Sequence, residues 1–364
     1  MKKPTILILT THTGGGHLNL AQSLKGLLET HYEVVIVNPQ SPMVARSYTF
    51  VSRHFLPFLN WQYSFTDYEF ASLWLHRLLT PSSVGRFQHI IEDVQPQLII
   101  TTHAMLSYVA ARANERLQKR VPLVFQLTDL GQVHMTWFSE KHADAYLAPT
   151  HEIFAQAKEQ NIGTEHLYAT GRPIRRQFLE VSANGKSETL AALGFDPTIF
   201  TVFLQGGAMG SASVDRIVQT LLRLEVPVQI MLAAGNNTKM LARYLGSEQI
   251  RTLPFTDMIA PYMAAADVIA GKAGASSITE AFILEKPFIV TAYIPGQETP
   301  SLQFIEQHNL GWVCLDAIAQ KQLFTRIATN PAMIAEKMED IRAYKAWNIR
   351  ANQDVCQIID RLLA

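Results

Sequence analysis

The sequence predicts an α/β protein made of two similar halves, each with a parallel sheet covered by helices. Short apolar runs alternate with amphipathic stretches along all 364 residues, which is typical of alternating strands and helices. A more polar stretch, "LEVSANGKSETLAALGFDP", interrupts the series near residues 171–197 and marks the predicted domain boundary. Each half also opens with a strand-like run that leads into glycines. The length of the chain, 364 residues, favours two domains over one.

Six strand-like runs are predicted in each half. In the first half they cover residues 6–9, 34–37, 98–101, 123–127, 145–148 and 167–169. In the second half they cover residues 200–204, 228–232, 252–255, 268–270, 288–291 and 312–315. Because ligands of open α/β sheets bind beyond the carboxyl ends of the strands, we expect two such edges to face each other across a cleft.

The first glycine-rich turn lies in "ILILTTHTGGGHLNLAQSL", between a buried strand and an amphipathic helix. Glycine lets another molecule approach the backbone closely, and a helix start offers free N–H groups. The spacing is not that of a dinucleotide site, because G-x-G-x-x-G is absent and the next strand ends in Asn38 instead of an acid. A simple tight turn is one interpretation. His17 favours a functional one, since a helix N-terminus keeps an imidazole neutral and able to accept a proton.

An aromatic segment breaks the α/β pattern between residues 48 and 74. It contains ten aromatic residues, of 18 Phe, 11 Tyr and 5 Trp in the whole chain. Two interpretations stay open: a core helix, or an amphipathic segment that enters a membrane interface, where Tyr and Trp are favoured. Four arginines against two acids over residues 42–90 predict only modest electrostatic anchoring.

The overall composition excludes several classes of protein. A hydrophobic content of 48% excludes a disordered chain, and the balance of 31 basic and 31 acidic residues gives no general attraction to nucleic acid. The two cysteines, Cys314 and Cys356, form no disulfide framework and indicate a reducing compartment. No apolar stretch approaches the roughly 20 residues that span a bilayer. We therefore predict a cytoplasmic protein that associates peripherally with the membrane.

The most specific stretch runs from residue 253 to residue 298. Small residues at 273–277 follow a predicted strand and precede a helix, which makes an anion pocket of backbone N–H groups with Ser276 or Ser277 as the cap. Lys272 adds a positive charge, and Glu280, one turn into the helix, can bind both hydroxyls of a ribose. The pair Gln297 and Glu298 can accept hydrogen bonds from sugar hydroxyls. Together these features indicate a nucleotide-sugar site.

These residues resemble the GT-B glycosyltransferases that include the monogalactosyldiacylglycerol synthases, the processive diacylglycerol glucosyltransferases and the peptidoglycan N-acetylglucosaminyltransferase. The pattern "KAGASSITEA…KP…PGQE" is similar to the donor half of that family. In the first half, "GGGHLNLAQSL", "QLTDLGQVHMTW" and "ATGRPIRRQF" resemble its glycine-histidine turn, its T-D-x-x-x-x-H-x-x-W segment and its interdomain run. The resemblance covers essentially the whole chain.

The resemblance implies two Rossmann-like domains and an inverting, metal-independent transfer of a hexose from a UDP-sugar to a lipid such as diacylglycerol. It implies an acceptor-binding, membrane-facing domain at 1–175, a UDP-sugar domain at 190–340, and a C-terminal helix at 341–364 that packs back toward the first domain. The expected donor-binding residues are Gly207, Gly210, Phe255, Thr256, Lys272, Gly274, Ser276, Ser277, Glu280, Gln297 and Glu298. The expected acceptor-binding residues are Gly15, Gly16, His134 and Trp137.

Two residues are candidates for the base that takes the proton of the acceptor hydroxyl. We favour His17, and Asp129 is the other. No cofactor and no metal are expected, since no D-x-D motif is apparent; UDP-sugar is a co-substrate, and nucleic acid is not an expected partner.

The chain departs from the family pattern at the sugar end. Thr299, Pro300 and Ser301 stand where an asparagine is usual, Gly271 replaces a threonine, and Ala275 and Ser276 replace glycine and proline. The donor sugar, which could be galactose, glucose or N-acetylglucosamine, and the oligomeric state therefore stay open. Two other functions also stay open: a same-fold enzyme with another reaction, such as transfer to a polyprenyl-linked acceptor or epimerisation of a UDP-sugar, and a non-catalytic nucleotide-sugar-binding protein.

Overall fold

The structure is a computed structural model that describes residues 3–11, 16–40, 63, 65–181, 185–205 and 211–364. The chain divides into two compact units. The first unit comprises Met1–Arg175, Pro295–Pro300 and Trp347–Ala364, and the second comprises Arg176–Ile294 and Ser301–Ala346.

The first unit is built on a parallel sheet. Its strands are β1 (Thr5–Leu9), β2 (Glu33–Val37), β3 (Leu98–Thr101), β4 (Leu123–Gln126), β5 (Ala145–Ala148) and β6 (Leu167–Ala169). They lie in the order β2-β1-β3-β4-β5-β6. Strands β3, β4 and β5 are buried along their whole length, which explains why they read as continuous apolar runs.

Among the described residues, five helices and the end of a sixth accompany this sheet. They are α1 (Gly16–Leu28), α2 (Glu69–Leu79), α3 (Val84–Val94), α4 (Ala104–Asn114) and α5 (His151–Glu159), followed much later by the second half of the C-terminal helix. Short 3-10 turns cover Met135–Phe138 and Thr164–His166. Side chains cap the N-termini of two of these helices: His103 accepts a hydrogen bond from the N–H of Met105 at α4, and Thr150 accepts one from the N–H of Ile153 at α5.

The second unit repeats the design with a different strand order. Its strands are β7 (Thr201–Gln205), β8 (Gln229–Gly235), β9 (Ile250–Pro254), β10 (Val268–Lys272), β11 (Phe288–Ala292) and β12 (Gly311–Val313). All pair in parallel in the order β12-β11-β10-β7-β8-β9. The helices are α6 (Arg176–Leu179), α7 (Lys186–Ala192), α8 (Ser211–Leu222), α9 (Thr238–Arg243), α10 (Ala260–Ala265), α11 (Ala275–Ile283), α12 (Thr299–Gln307), α13 (Ala317–Thr329) and α14 (Ala332–Leu363).

The core of the first unit lies on both faces of its sheet. Successive residues of a strand point to opposite faces, so Leu7 and Leu9 join one buried cluster while Ile6 and Ile8 join the other. The second cluster also contains Val355 and other residues of α14. The first unit therefore uses residues from both ends of the chain to bury its sheet.

Two short connections bring distant parts of the chain into the first unit. In α14, the Asn348 amide exchanges two hydrogen bonds with the backbone of Arg172, at 2.7 and 3.0 Å. The amide of Asn352 donates to the carbonyl of Thr170 at 2.8 Å. Gly171 lies between them with φ +69°, and a Cβ there would lie 2.8 Å from the Asn348 Oδ1, so the turn requires glycine.

The predicted fold class is confirmed. All twelve predicted runs form strands, and they differ from the expectation only at their ends: the run at 228–232 extends to Gly235, and the run at 312–315 becomes Gly311–Val313. The acceptor-binding and donor-binding roles of the two halves stay predictions.

Candidate active site

The first part of the site lies where the strand order of the first sheet reverses. Strand β1 lies between β2 and β3, so the segments that leave β1 and β3 diverge at the carboxyl edge of the sheet, which is where open α/β sheets bind ligands. His17, in the first turn of α1, follows β1, and His103, at the start of α4, follows β3. Gly15 lies outside the described residues. Gly16 is described, and a Cβ added there would meet nothing within 4 Å.

The His17 ring is held through one nitrogen. Its Nδ1 lies 2.7 Å from the carbonyl oxygen of Thr102. A carbonyl can only accept, so Nδ1 carries the proton and a neutral His17 has its lone pair on Nε2. The ring of His103 packs against it with centroids 4.5 Å apart. This is the tautomer that a general base with an available Nε2 needs.

Both histidines are neutral at physiological pH. The pKa of His17 is lowered to about 4, mainly by burial; the Thr102 hydrogen bond opposes this effect, and the positive charge of Arg172 adds a smaller lowering. Burial and the neighbouring imidazoles of His17 and His76 bring the pKa of His103 well below its ordinary value. The helix dipole suggested a neutral His17, but burial is the main cause.

Asp129, the other base candidate, lies just after β4 in a partly buried loop. The hydroxyl of Thr128 donates to its Oδ2 at 3.2 Å. Its negative charge is close enough to Tyr63 to raise the pKa of that phenol, together with burial, which is the larger cause. The guanidinium of Arg172 is buried and donates to the carbonyl of Thr128, so a cation lies beside the same loop.

His134 uses both of its ring nitrogens inside the protein. Nδ1 accepts from the N–H of Thr136 at 3.2 Å, and Nε2 lies 3.0 Å from the carbonyl oxygen of Tyr63. Its ring also packs against the Tyr63 ring at 4.4 Å. In this structure His134 therefore connects two segments of the first unit, and its predicted contact with the acceptor stays a prediction.

Trp137 differs from its predicted place in the acceptor site. It lies in the 3-10 turn, is 2% exposed, and belongs to the buried core beside Phe125. A side chain so enclosed has no surface for a substrate. The expectation of direct acceptor binding by Trp137 is therefore wrong, and its place in the motif reflects packing.

A separate candidate site lies within the second unit, at the corresponding reversal of strand order between β7 and β10. Lys272 ends β10, and a Cβ at Gly274 would lie 3.8 Å from its Nζ, so the ammonium sits beside the turn. Helix α11 begins at Ala275 after Gly274, without a side-chain cap. The expectation that Ser276 or Ser277 caps this helix is therefore wrong; both lie in its first turn. Exposed N–H groups and a nearby cation favour an anion here.

The donor-site departure at Gly271 has a steric reason. A Cβ at Gly271 would lie 3.2 Å from both the Cβ and the carbonyl oxygen of Gln205, its partner on β7. A side chain at position 271 would therefore require Gln205 to shift by a few tenths of an ångström.

Glu280, Phe255 and Thr256 are the other predicted donor residues that the structure describes in the second unit. Glu280 is buried in α11, 5% exposed, while Phe255 is exposed just after β9 and the Thr256 hydroxyl accepts from the N–H of Met258 at 3.1 Å. Gly207 and Gly210 lie outside the described residues.

The pair Gln297 and Glu298 groups with the first unit, although it was predicted with the donor residues. Glu298 is buried and Gln297 is partly buried. The segment packs closely on the first unit: a Cβ at Gly131, where φ is +78°, would lie 2.5 Å from the carbonyl oxygen of Pro300. A Cβ at Gly296 would lie 3.1 Å from the ring of Tyr63.

The aromatic segment is in part an exposed surface. Phe70, Trp74 and Leu78 of α2 recur every four residues on one helix face and are 83%, 58% and 60% exposed. The opposite face holds α2 in place: the hydroxyl of Ser72 lies 2.6 Å from that of Ser139, and the Nε2 of His76 lies 3.3 Å from the carbonyl oxygen of Thr136.

We call Phe70, Trp74 and Leu78 the apolar stripe. Phe65 and Tyr68, which precede the helix, are exposed as well. The core interpretation is therefore wrong for these aromatic residues. The aromatic residues from position 48 to position 61 lie outside the described part of the chain.

The described residues contain no group of three or more His, Cys, Asp or Glu side chains that could hold a metal ion, and the expected metal independence stays a prediction. In the same part of the chain, every helix is too short or too polar to cross a bilayer.

Known proteins resemble both halves of the chain. The family model described as monogalactosyldiacylglycerol synthase matches residues 17–174, and the model of the glycosyltransferase family 28 C-terminal domain matches residues 201–343. Monogalactosyldiacylglycerol synthase 3 of Arabidopsis thaliana, chloroplastic, is 26% identical over an alignment of 336 positions, which covers 84% of this chain and 70% of that protein. The chloroplastic enzyme of Spinacia oleracea is 26% identical over 84% of this chain and 62% of its own length.

The chain is a member of the GT-B glycosyltransferases, and its first half matches the model of the monogalactosyldiacylglycerol synthases.

This membership confirms the family and the enzyme class predicted from the sequence, while the role of each site residue stays a prediction. Two solved structures share the fold. MurG of Acinetobacter baumannii has a TM-score of 0.64 at 15% identity and covers 98% of this chain and 99% of its own. HepE of Anabaena, solved with UDP and glucose, has a TM-score of 0.61 at 15% identity, over 98% of this chain and 100% of its own.

Several residues of the family site were not predicted. His103 carries a signal that could have been used, because "TTH" follows an apolar strand at 101–103 much as two threonines and His17 follow β1. Arg172 and Gly131 lie in the quoted stretches "ATGRPIRRQF" and "QLTDLGQVHMTW", but no local pattern marks their contacts, or those of Tyr63, with distant parts of the chain.

Proposed function

We propose that the protein transfers a hexose from a UDP-sugar to the hydroxyl of diacylglycerol, with inversion at the anomeric carbon and without a metal ion. The observation that supports this most is the neutral His17, held through Nδ1 at the carboxyl edge of the first sheet in a chain of this family. Relatives named as monogalactosyldiacylglycerol synthases supply the acceptor class.

The proposed reaction begins with proton transfer. The acceptor hydroxyl gives its proton to Nε2 of His17 while its oxygen attacks the anomeric carbon in line and the bond to UDP breaks. The second proton stays on Nδ1, hydrogen-bonded to the Thr102 carbonyl oxygen throughout, so the ring keeps its orientation. Asp129 and the buried Arg172 lie by the neighbouring loop, and Asp129 would orient the acceptor.

The leaving diphosphate would be stabilised by the second unit. The N–H groups at the start of α11 and the ammonium of Lys272 provide positive charge for it. This charge supplies what a divalent cation would otherwise supply, which is the basis for proposing a reaction without a metal. Glu280 would bind the ribose hydroxyls of the donor.

The apolar stripe of α2 would bring the enzyme to its lipid. Three large apolar side chains on one helix face, in a segment with Phe65 and Tyr68 exposed beside it, suit the interface between headgroups and acyl chains. We therefore propose peripheral membrane attachment on the cytoplasmic side, with diacylglycerol reached from the interface.

The test is incubation of the purified protein with diacylglycerol vesicles and separate UDP-sugars, followed by mass spectrometry of the lipids. We expect one hexose added to diacylglycerol from UDP-galactose or UDP-glucose, in the presence of EDTA. Epimerised or hydrolysed UDP-N-acetylglucosamine without an acceptor would instead support another enzyme on this fold. Binding of UDP-sugars without any turnover would refute catalysis.

A further inference from the structure

The contacts around His17 extend beyond its own hydrogen bond. The Thr102 carbonyl that holds Nδ1 belongs to a residue at the end of β3, 85 positions further along the chain. The hydroxyl of Thr102 donates to the hydroxyl of Thr10 at 2.9 Å, and its N–H donates to the carbonyl of Leu9 at 3.1 Å. Thr10 and Thr102 are both fully buried.

These bonds tie together the two strands at which the sheet order reverses. Strands β1 and β3 separate beyond Leu9 and Thr101, because the segment after β1 leads to α1 and the segment after β3 leads to α4. At that point the strand ladder no longer fixes the position of the Thr102 carbonyl. The hydroxyl pair Thr10–Thr102 provides the fixing contact one residue beyond the ladder.

We propose that Thr102 is the positioning residue of His17, and that its hydroxyl bond to Thr10 keeps its carbonyl directed at Nδ1. This inference rests on the proposed role of His17 as the base. Thr102 touches no reacting atom; it acts by selecting the tautomer in which Nε2 has the lone pair. The imidazole of His103, 4.5 Å away, limits rotation of the His17 ring from the other side.

The chain offers a matched control one residue earlier. The side chain of Thr101 is also fully buried, and its hydroxyl lies 2.6 Å from the hydroxyl of Ser107; among the described residues it forms no hydrogen bond with His17 or Thr10. Thr101→Val and Thr102→Val each remove one buried hydroxyl bond and keep the β-branched shape. A general loss of packing or stability would affect both variants alike.

The experiment compares Thr102→Val, Thr10→Val and Thr101→Val in the full chain by two measurements. The first is the tautomer of His17, read from long-range proton–nitrogen correlation spectra at neutral pH and identified by the signals lost in His17→Gln. The second is kcat and KM for the UDP-sugar on diacylglycerol vesicles. Melting curves verify that each variant is folded.

We expect the wild type and Thr101→Val to show the Nδ1–H form alone. In Thr102→Val and Thr10→Val we expect a mixture of both tautomers and a kcat lower by about tenfold, with KM for the UDP-sugar unchanged. A folded Thr102→Val protein with the pure Nδ1–H form and a normal kcat would overturn the proposal, as would an equal loss of kcat in Thr101→Val. If the tautomer shifts as expected but the wild type transfers no sugar, the proposed function fails and the positioning contact stands.

Discussion

Removal of the apolar stripe should release the protein from membranes without unfolding it. The variant replaces Phe70, Trp74 and Leu78 of α2 together with glutamine, which is a good helix former. Full burial of one large apolar side chain contributes about 1.5–3 kcal/mol, and these three are more than half exposed and therefore free to insert. When each side chain is weighted by its exposed fraction, the triple variant loses about 4 kcal/mol of membrane-binding free energy. This corresponds to about a 10³-fold lower partition coefficient between vesicles and water.

The assay is flotation of the protein with diacylglycerol-containing vesicles at several lipid concentrations. Substitution at exposed helix positions changes stability by about 0.5 kcal/mol or less, so the melting temperature should stay close to that of the wild type. Activity on long-chain diacylglycerol should fall with binding. Activity on a short, water-soluble diacylglycerol should persist, because the residues around His17 are unchanged.

A matched control removes exposed apolar surface elsewhere. Leu245 and Ile318, in the second unit, are 84% and 71% exposed, and their replacement with glutamine should leave vesicle binding unchanged. A folded triple variant of the stripe that still floats with vesicles as the wild type does would refute the assignment of α2 to the interface. Equal loss of binding in the control would show that exposed apolar area in general drives the attachment.

Four further outcomes are expected. His17→Ala should lower kcat by roughly 10²-fold or more with UDP affinity nearly unchanged, since only proton transfer is lost; kinetics and calorimetry check this, and near-normal turnover would move the base role to Asp129. Glu280→Ala should weaken UDP binding by roughly 1.5–3 kcal/mol if a charged hydrogen bond to the ribose is lost, and unchanged calorimetry would exclude that role. Gly131→Ala should destabilise the first unit by roughly 1–3 kcal/mol in urea unfolding, because φ is +78° and its Cβ would meet Pro300; equal stability would contradict the close approach. Burial lowers the pKa of His17 and of His76 from 6.5 to about 4, so the unfolded chain binds more protons and stability should fall as pH drops from about 6.5 to about 4; a flat urea midpoint there would contradict it.

The sheets could be predicted from the sequence because their strands are buried on both faces. The run at residues 6–9 is apolar at every position, so its strand conformation can be predicted from local composition. The ends were less certain: Gly235 and Lys272 continue strands past the last apolar residue, because pairing with a neighbouring strand decides where a strand ends.

The site was predictable in its residue types and much less in its contacts. The turn before His17 could be located from its glycines, yet the Thr102 carbonyl that sets the tautomer comes from another strand and leaves no local pattern. The motif position of Trp137 suggested a contact with the substrate, yet its side chain lies in the core. A position in a motif does not distinguish these two roles. Ser276 and Ser277 have good capping side chains, but the helix starts before them at Ala275.

The C-terminal helix limits how far this protein can be divided into exchangeable modules. The chain passes between the two units four times, and α14 belongs to the second unit up to Ala346 and to the first from Trp347 onward. A gene fragment that stops at residue 175 encodes every strand of the first sheet but omits Val355, Ile358 and Ile359, which are almost fully buried against it. Such a fragment would expose part of its own interior. Chimeras that exchange donor specificity between relatives should therefore keep the last 18 residues with the N-terminal parent, although those residues are encoded beyond the donor half.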